Sequence, residues 1–194
     1  MIRFIVPRIA LRDLPPMLAA ALAGALLAGI YGILHDQWTY SISAEYFTNM
    51  KFQQFHYADF GLGDRAFAGI VGFLGTWWVG LVFAWFLARR LIPGQPLGRA
   101  FRQIGMGFLL VLTAAVLSAA LGYAFGLWLG PEADYSRWAE PLNRFHITGA
   151  WAFMRVAYIH WASYLGGLAG FLAALVVIRP SDSSGNLKIG RGGV

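Results

Sequence analysis

The sequence predicts an all-α polytopic membrane protein, a four-transmembrane-helix bundle with an extracytoplasmic aromatic lid, and three observations carry that expectation. Residues 17–34, 67–88, 103–131 and 156–178 contain no Asp, Glu, Lys or Arg. A bilayer core about 30 Å thick needs only about 20 helical residues, so each run is a spanning candidate. The segments between the runs alternate in charge sign. Backbone polar groups in lipid must be satisfied within the segment, and runs this long do so only as helices, because barrel strands are about ten residues of alternating polarity.

Orientation follows from the basic residues. The start of the chain carries Arg3, Arg8 and Arg12 against Asp13; the connection between spans two and three carries Arg89, Arg90, Arg99 and Arg102 unopposed; the tail carries Arg179, Lys188 and Arg191 against Asp182. The other two connections are acidic, with Asp36, Glu45, Asp59 and Asp64 against Lys51 and Arg65, then Glu132, Asp134 and Glu140 against Arg137 and Arg144. Retention of Lys and Arg in short flanking loops predicts a bacterial inner (cytoplasmic) membrane protein with both termini cytoplasmic and both longer loops outside. The net charge of +6 then needs no nucleic-acid partner, and anionic headgroups of the lipid bilayer are its expected counterions. The absence of cysteine excludes disulfides, thiol redox chemistry and Cys-ligated zinc or iron-sulfur clusters.

Taken in order, residues 2–14 mix apolar side chains with arginines and suit the inner interface. Pro15 and Pro16 fit the first turn of span one, where their missing amide protons would have no partner. Ala21-Leu22-Ala23 is a poor cleavage site, so the first 30 residues are expected to stay as a span rather than leave as a signal peptide. Residues 35–66 form the expected lid: eight aromatics lie between Trp38 and Phe60, and a piece of about 30 residues without disulfides builds no core of its own. Span two ends at Arg89-Arg90, and Pro93-Gly94-Gln95-Pro96 turns the chain sharply into span three, making the two antiparallel neighbours. Residues 1–179 thus read as one domain and 180–194 as a flexible cytoplasmic tail with too little apolar density to order it.

Small residues recur about one turn apart: Ala20 with Gly24, Ala25 with Gly29, Gly69 with Gly72, Gly122 with Gly126, and Gly166 with Gly170. In lipid such pairs let backbones approach, either inside the bundle or against a partner subunit.

Chemistry is concentrated on the outer side, where all four histidines, His35, His56, His146 and His160, meet seven of the nine carboxylates. Imidazole and carboxylate are metal ligands and proton carriers, which makes His35, Glu45 and His160 candidate metal ligands, although their spacing matches no metal motif. Haem would need axial ligands on facing helices, and His146 and His160 share one segment, leaving only His35 opposite. Phe153, Ala157, His160, Tyr164, Gly167 and Phe171 fall on one helical stripe, so His160 and Tyr164 are expected to bond a common group in the bundle interior. Arg155 is expected at the outer interface, pairing with Glu45 or Glu140.

His35-Asp36-Gln37 followed by Ser43-Ala44-Glu45-Tyr46-Phe47-Thr48 resembles a pattern found in uncharacterised four-helix membrane proteins of bacteria. The resemblance brings no activity or cofactor with it. It implies that His35, Asp36, Gln37, Glu45 and Tyr46 form a connected polar unit.

Three functional readings follow. The leading one is an accessory or scaffold subunit of a membrane complex, partnered by other membrane subunits or by itself. The second is a transporter or channel for a small solute or ion, which needs polar groups along a whole path. The third is a membrane-embedded enzyme acting on lipid or another apolar substrate, with His35, Glu45 or His160 as acid and base. No nucleophile elbow or phosphate loop is present to sharpen the third.

Overall fold

The computed structural model describes residues 9–180. The expected interfacial placement of residues 2–8 and flexibility of 181–194 lie outside these. Four long helices, α1 (Leu14–Ile42), α2 (Asp64–Leu91), α3 (Leu97–Leu129) and α4 (Ala150–Val177), make up the body, and the described residues contain no strand. All four are long and apolar enough to cross a membrane.

The helices outrun the uncharged runs of the sequence, most of all at α1, which continues past residue 34 to Ile42. His35, Asp36 and Gln37 therefore belong to a helix, and the connection that follows it starts at Ser43. The physical reason is that Asp36 is buried within the bundle and faces a partner there, so its charge does not end the apolar segment. Helix ends are set instead by local chemistry. Pro15 and Pro16 lie in the first turn of α1, Gly63 (φ +85°) precedes α2, and Gly94 (φ +86°) turns the chain between Leu91 and Leu97. At both last positions a side chain would be strained.

The bundle is built from two closely packed antiparallel pairs, α1 with α2 and α3 with α4. In the first pair Gly24 faces Gly80 and Gly32 faces Gly72, each backbone lying where a Cβ on the other would sit. Midway between them the Thr76 hydroxyl donates to the carbonyls of Ala28 and Gly72, both at 2.8 Å. In the second pair Gly122 lies against Tyr158 and Ala162, Gly126 against Arg155, and Gly166 and Gly170 against Ala114. Removing Cβ at these positions lets the helices meet backbone to backbone, which maximises dispersion contact. The glycines are consumed inside the pairs.

The two pairs meet along a seam. Toward the Arg89–Arg102 end it is apolar, filled by Met17, Leu87, Leu91, Ile104, Phe108 and Phe171, with Phe83 stacked on Phe171 at 4.0 Å. Arg90 crosses the same end to the Leu175 carbonyl. Toward the opposite end the seam becomes polar. There the 43–63 connection packs into the helix ends, burying Tyr46 and Phe47 with Phe153, Met154, Val156 and Ala157.

The glycine register makes a prediction. Gly72→Val puts a branched side chain into the Gly32 backbone and should destabilise the protein by about 2 kcal/mol or more, in the range of overpacked cores. Gly105→Ala, where a Cβ meets nothing within 4 Å, should leave stability unchanged or raise it by up to about 1 kcal/mol. Unfolding in detergent followed by circular dichroism distinguishes the two.

Candidate functional site

At the polar end of the seam, α1 contributes His35 and Asp36, and α4 contributes His160. His160 Nε2 lies 3.2 Å from Asp36 Oδ1, and the His35 and His160 rings meet edge-on with centroids 4.7 Å apart. One donor atom from each of the three residues lies within 4.8 Å of the other two. His160 and Asp36 are 2 % and 5 % exposed, and His35 is partly buried. His35 Nε2 and His160 Nδ1 are buried without a hydrogen-bond partner, the latter on the side of the ring away from Asp36. Unpaired polar atoms in a low-dielectric interior are costly, so such an arrangement signals a ligand or a working proton site rather than inert packing.

His35 is held on its other ring nitrogen by Tyr31 and, through it, Ser163. The Tyr31 hydroxyl lies 3.3 Å from His35 Nδ1 and 2.7 Å from Ser163 Oγ. This path runs from α1 to α4, parallel to the Asp36–His160 contact. Tyr31 and His35 are four residues apart and His160 and Ser163 three apart, so each pair shares a helix face.

The connection closes the site from above. Residues Tyr46–Lys51 are wound as a π-helix, whose i→i+5 bonding brings residues five apart onto one side. The Tyr46 ring consequently reaches His160 at 5.0 Å, and Lys51 Nζ sits 5.9 Å from the Tyr46 centroid. A cavity of about 30 Å³ remains, lined by Tyr31, His35, Asp36, Lys51, Thr76 and Tyr164 among others. That is room for about one or two waters. Exposed Gly75 and Tyr164 form part of its wall, so it approaches the bundle surface between α2 and α4. Burial lowers the pKa of the Lys51 ammonium, opposed by the charge of Asp36. Burial likewise raises that of the Tyr46 phenol.

Several residues expected at this site are elsewhere. Glu45 accepts from Thr148 N (3.1 Å), Thr148 Oγ1 (2.6 Å) and Gly149 N (2.9 Å). It therefore binds the Thr148–Gly149 amides just before α4 instead of meeting Arg155, Tyr164 or the two histidines, because two backbone N–H groups and a hydroxyl satisfy the carboxylate next to the positive end of that helix. Arg155 instead lies over the Trp151 ring at 4.3 Å and near Tyr123 at 5.7 Å. The Gln37 amide donates to the Arg65 carbonyl at 2.7 Å, and Arg65 returns a bond to the Gln37 carbonyl at 3.0 Å, which ties α1 to α2. Tyr164 stays at the margin of the site: 54 % exposed, it walls the cavity with its ring centroid 6.1 Å from that of His160, while Ser163, 4 % exposed, takes the inward position on α4. His56 bonds the Gln53 carbonyl at 3.1 Å and His146 the Asn49 amide through its own carbonyl. Neither joins the cluster.

The sequence reading did not single out Tyr31, Lys51 or Ser163. The signal available for Tyr31 and Ser163 was their helical spacing from His35 and His160; Lys51 is brought in by the π-helix, which spacing does not announce. Comparison of the chain with known protein families, curated proteins and solved structures finds no match.

The Glu45 contact predicts a pH dependence. The Thr148 side-chain bond, then the backbone bonds of Gly149 and Thr148, hold the Glu45 pKa below its ordinary 4.5 against a smaller opposing effect of burial. A carboxylate with a depressed folded pKa stabilises fully above its unfolded value and loses that contribution as pH falls through the folded one. Wild type should exceed Glu45→Gln in stability by about 0.3–0.5 kcal/mol at pH 7, the lower part of the range for a charge at a helix end because solvent screens it. Thermal unfolding should show that difference shrinking once pH drops below 4.5.

Proposed function

We propose that the chain is a small multi-pass protein of the bacterial inner membrane, with both termini cytoplasmic, whose working part is an intramembrane polar site under an extracytoplasmic lid. In this reading residues 43–63 are the lid, and His35, Asp36 and His160 bind a small ligand or handle its protons. The observation that carries it is the convergence of three ionisable side chains from two helix pairs, with buried ring nitrogens left unpaired. Ionisable groups are rare within membrane spans and stand there for function by default. The four apolar helices and the basic residues flanking α2 and α3 support the placement.

The other readings draw less support. The accessory-subunit reading drew on the small size of the chain, its glycine-rich faces, its aromatic-rich connection and its lack of a catalytic motif; of these, the facing glycines described above lie within the two helix pairs. Transport needs a polar route, and among the described residues the seam beyond Thr76 and Ser163 is filled by apolar side chains. A site for binding or acid-base chemistry at one end needs only the groups that are there.

Two experiments test the proposal. The chain lacks cysteine, so single cysteines introduced at exposed Tyr57 and at Gly98 report sidedness without background. A membrane-impermeant maleimide applied to intact spheroplasts should label Tyr57→Cys and spare Gly98→Cys; the reverse pattern defeats the placement. For the site, His160→Ala should impair growth phenotype or ligand retention far more than His56→Ala. Equal tolerance of both substitutions removes the case for an intramembrane centre.

A further inference from the structure

The identity of the ligand can be argued from the spacing of the three side chains. Metal–nitrogen bonds of about 2.0–2.1 Å put an imidazole centroid about 3.2 Å from the ion. Two imidazoles on one ion at about 90–109° then have centroids about 4.5–5.2 Å apart, whereas a trans pair on haem iron has them more than about 6 Å apart. The His35 and His160 centroids are 4.7 Å apart with planes at 70°. Donor atoms sharing an ion through bonds of this length lie about 3.0–3.4 Å from one another, and Asp36 Oδ1 is 3.2 Å from His160 Nε2. The haem alternative is disfavoured by the same distances that suit a compact ion.

We propose that His35, Asp36 and His160 form a binding site for a divalent first-row transition metal, with two imidazoles and one carboxylate as ligands and an open position toward the adjoining cavity. This rests on the reading of the cluster as the working site and names its ligand class. His35 Nε2 is the ligand atom on α1, since Nδ1 faces the Tyr31 hydroxyl and Nε2 is buried and unpaired. One ligand atom from each of the three residues already lies within 4.8 Å of the other two.

The surroundings match what such sites need at His35, while the far nitrogen of His160, Nδ1, is buried without a partner. Metal-bound histidines are held by a second hydrogen bond on the far nitrogen. For His35 the Tyr31–Ser163 pair supplies it. Nitrogen and carboxylate donors select zinc-class ions over calcium or magnesium, and three protein ligands leave a place for water or substrate. The cavity of about 30 Å³ offers that place.

One neighbour opposes the ion. Lys51 lines the same cavity, and two cations near one another repel strongly where the dielectric is low. Removal of the Lys51 charge therefore acts opposite in sign to removal of a ligand, and this gives the test its discrimination.

Full-length protein in nanodiscs, stripped with chelator, is titrated with Co(II) alone and followed by visible ligand-field absorption and by thermal unfolding. Wild type should bind one equivalent, with an absorption intensity typical of four or five ligands and a rise in Tm. Asp36→Asn and His160→Gln should weaken binding by about 100-fold or abolish it, and Tyr31→Phe should weaken it by about tenfold. Lys51→Met should tighten it by about tenfold. The last two variants keep all three ligands, so their opposite shifts stay readable where ligand variants misfold. Absence of Co(II)-dependent absorption and stabilisation in wild type overturns the metal assignment. So does an absorption band that is unchanged in Asp36→Asn and His160→Gln. Either result leaves the sidedness established by maleimide labelling untouched, so the two claims fail separately.

Discussion

Two helix pairs that are tightly joined within themselves are joined to one another at the 43–63 end by polar contacts: Asp36 with His160, and Tyr31 with Ser163. The rotation of α4 against α1 at that end is marked by these two links. Within each pair, glycines bring backbones together and leave little freedom of register. Between the pairs, bulky apolar side chains fill the seam at one end, and at the other the polar contacts lie beside the apolar cluster of Phe47, Phe153, Met154 and Val156. Directional contacts of this kind select one rotation of α4 about its axis, since a turn of one residue would replace Ser163 by Tyr164 in the seam.

The connection after α1 is shaped by the same demand. An α-helical continuation would separate Tyr46 and Lys51 around the helix, whereas the π-helix directs both toward the bundle. Local irregularities of this type recur at functional sites because they re-aim side chains that regular geometry would disperse. Glu45, immediately before it, anchors the connection to Thr148 and Gly149, the two residues that lead into α4. The connection is therefore fastened at the helix whose His160 it covers, and the position of Tyr46 over that ring follows from the anchor.

Much of the fold was legible in the sequence, and the reasons differ from element to element. Helix number and approximate position followed from long uncharged runs, because burial in an apolar setting excludes unpaired charge. The end of α1 did not follow, since Asp36 is a charge that the bundle itself accommodates, and a rule based on charge stops at it. The small-residue pattern was visible, but the register in which Gly24 meets Gly80 and Gly32 meets Gly72 depends on two helices at once. Of the site, His35, Asp36, Tyr46 and His160 could be named as candidates from their residue types and placement. Their convergence depends on how α1 lies against α4, which one-dimensional spacing does not encode. Glu45 and Arg155 were natural partners by charge, yet Glu45 is taken by the Thr148 and Gly149 amides and Arg155 lies over the Trp151 ring with its Nε left unpaired. Tyr164 and Ser163 differ by one residue, about 100° on a helix, and hydropathy did not choose between them.

The most direct measurement of the central claim is a double-mutant cycle between Asp36 and His160, with unfolding free energies of wild type, Asp36→Asn, His160→Gln and the double variant determined in mild detergent. Residues in contact in the seam should show a coupling of about 1 kcal/mol or more, at the upper end for polar pairs in membrane proteins. Additive effects, within about 0.3–0.5 kcal/mol, would mean that α1 and α4 do not meet through these side chains and would contradict the account.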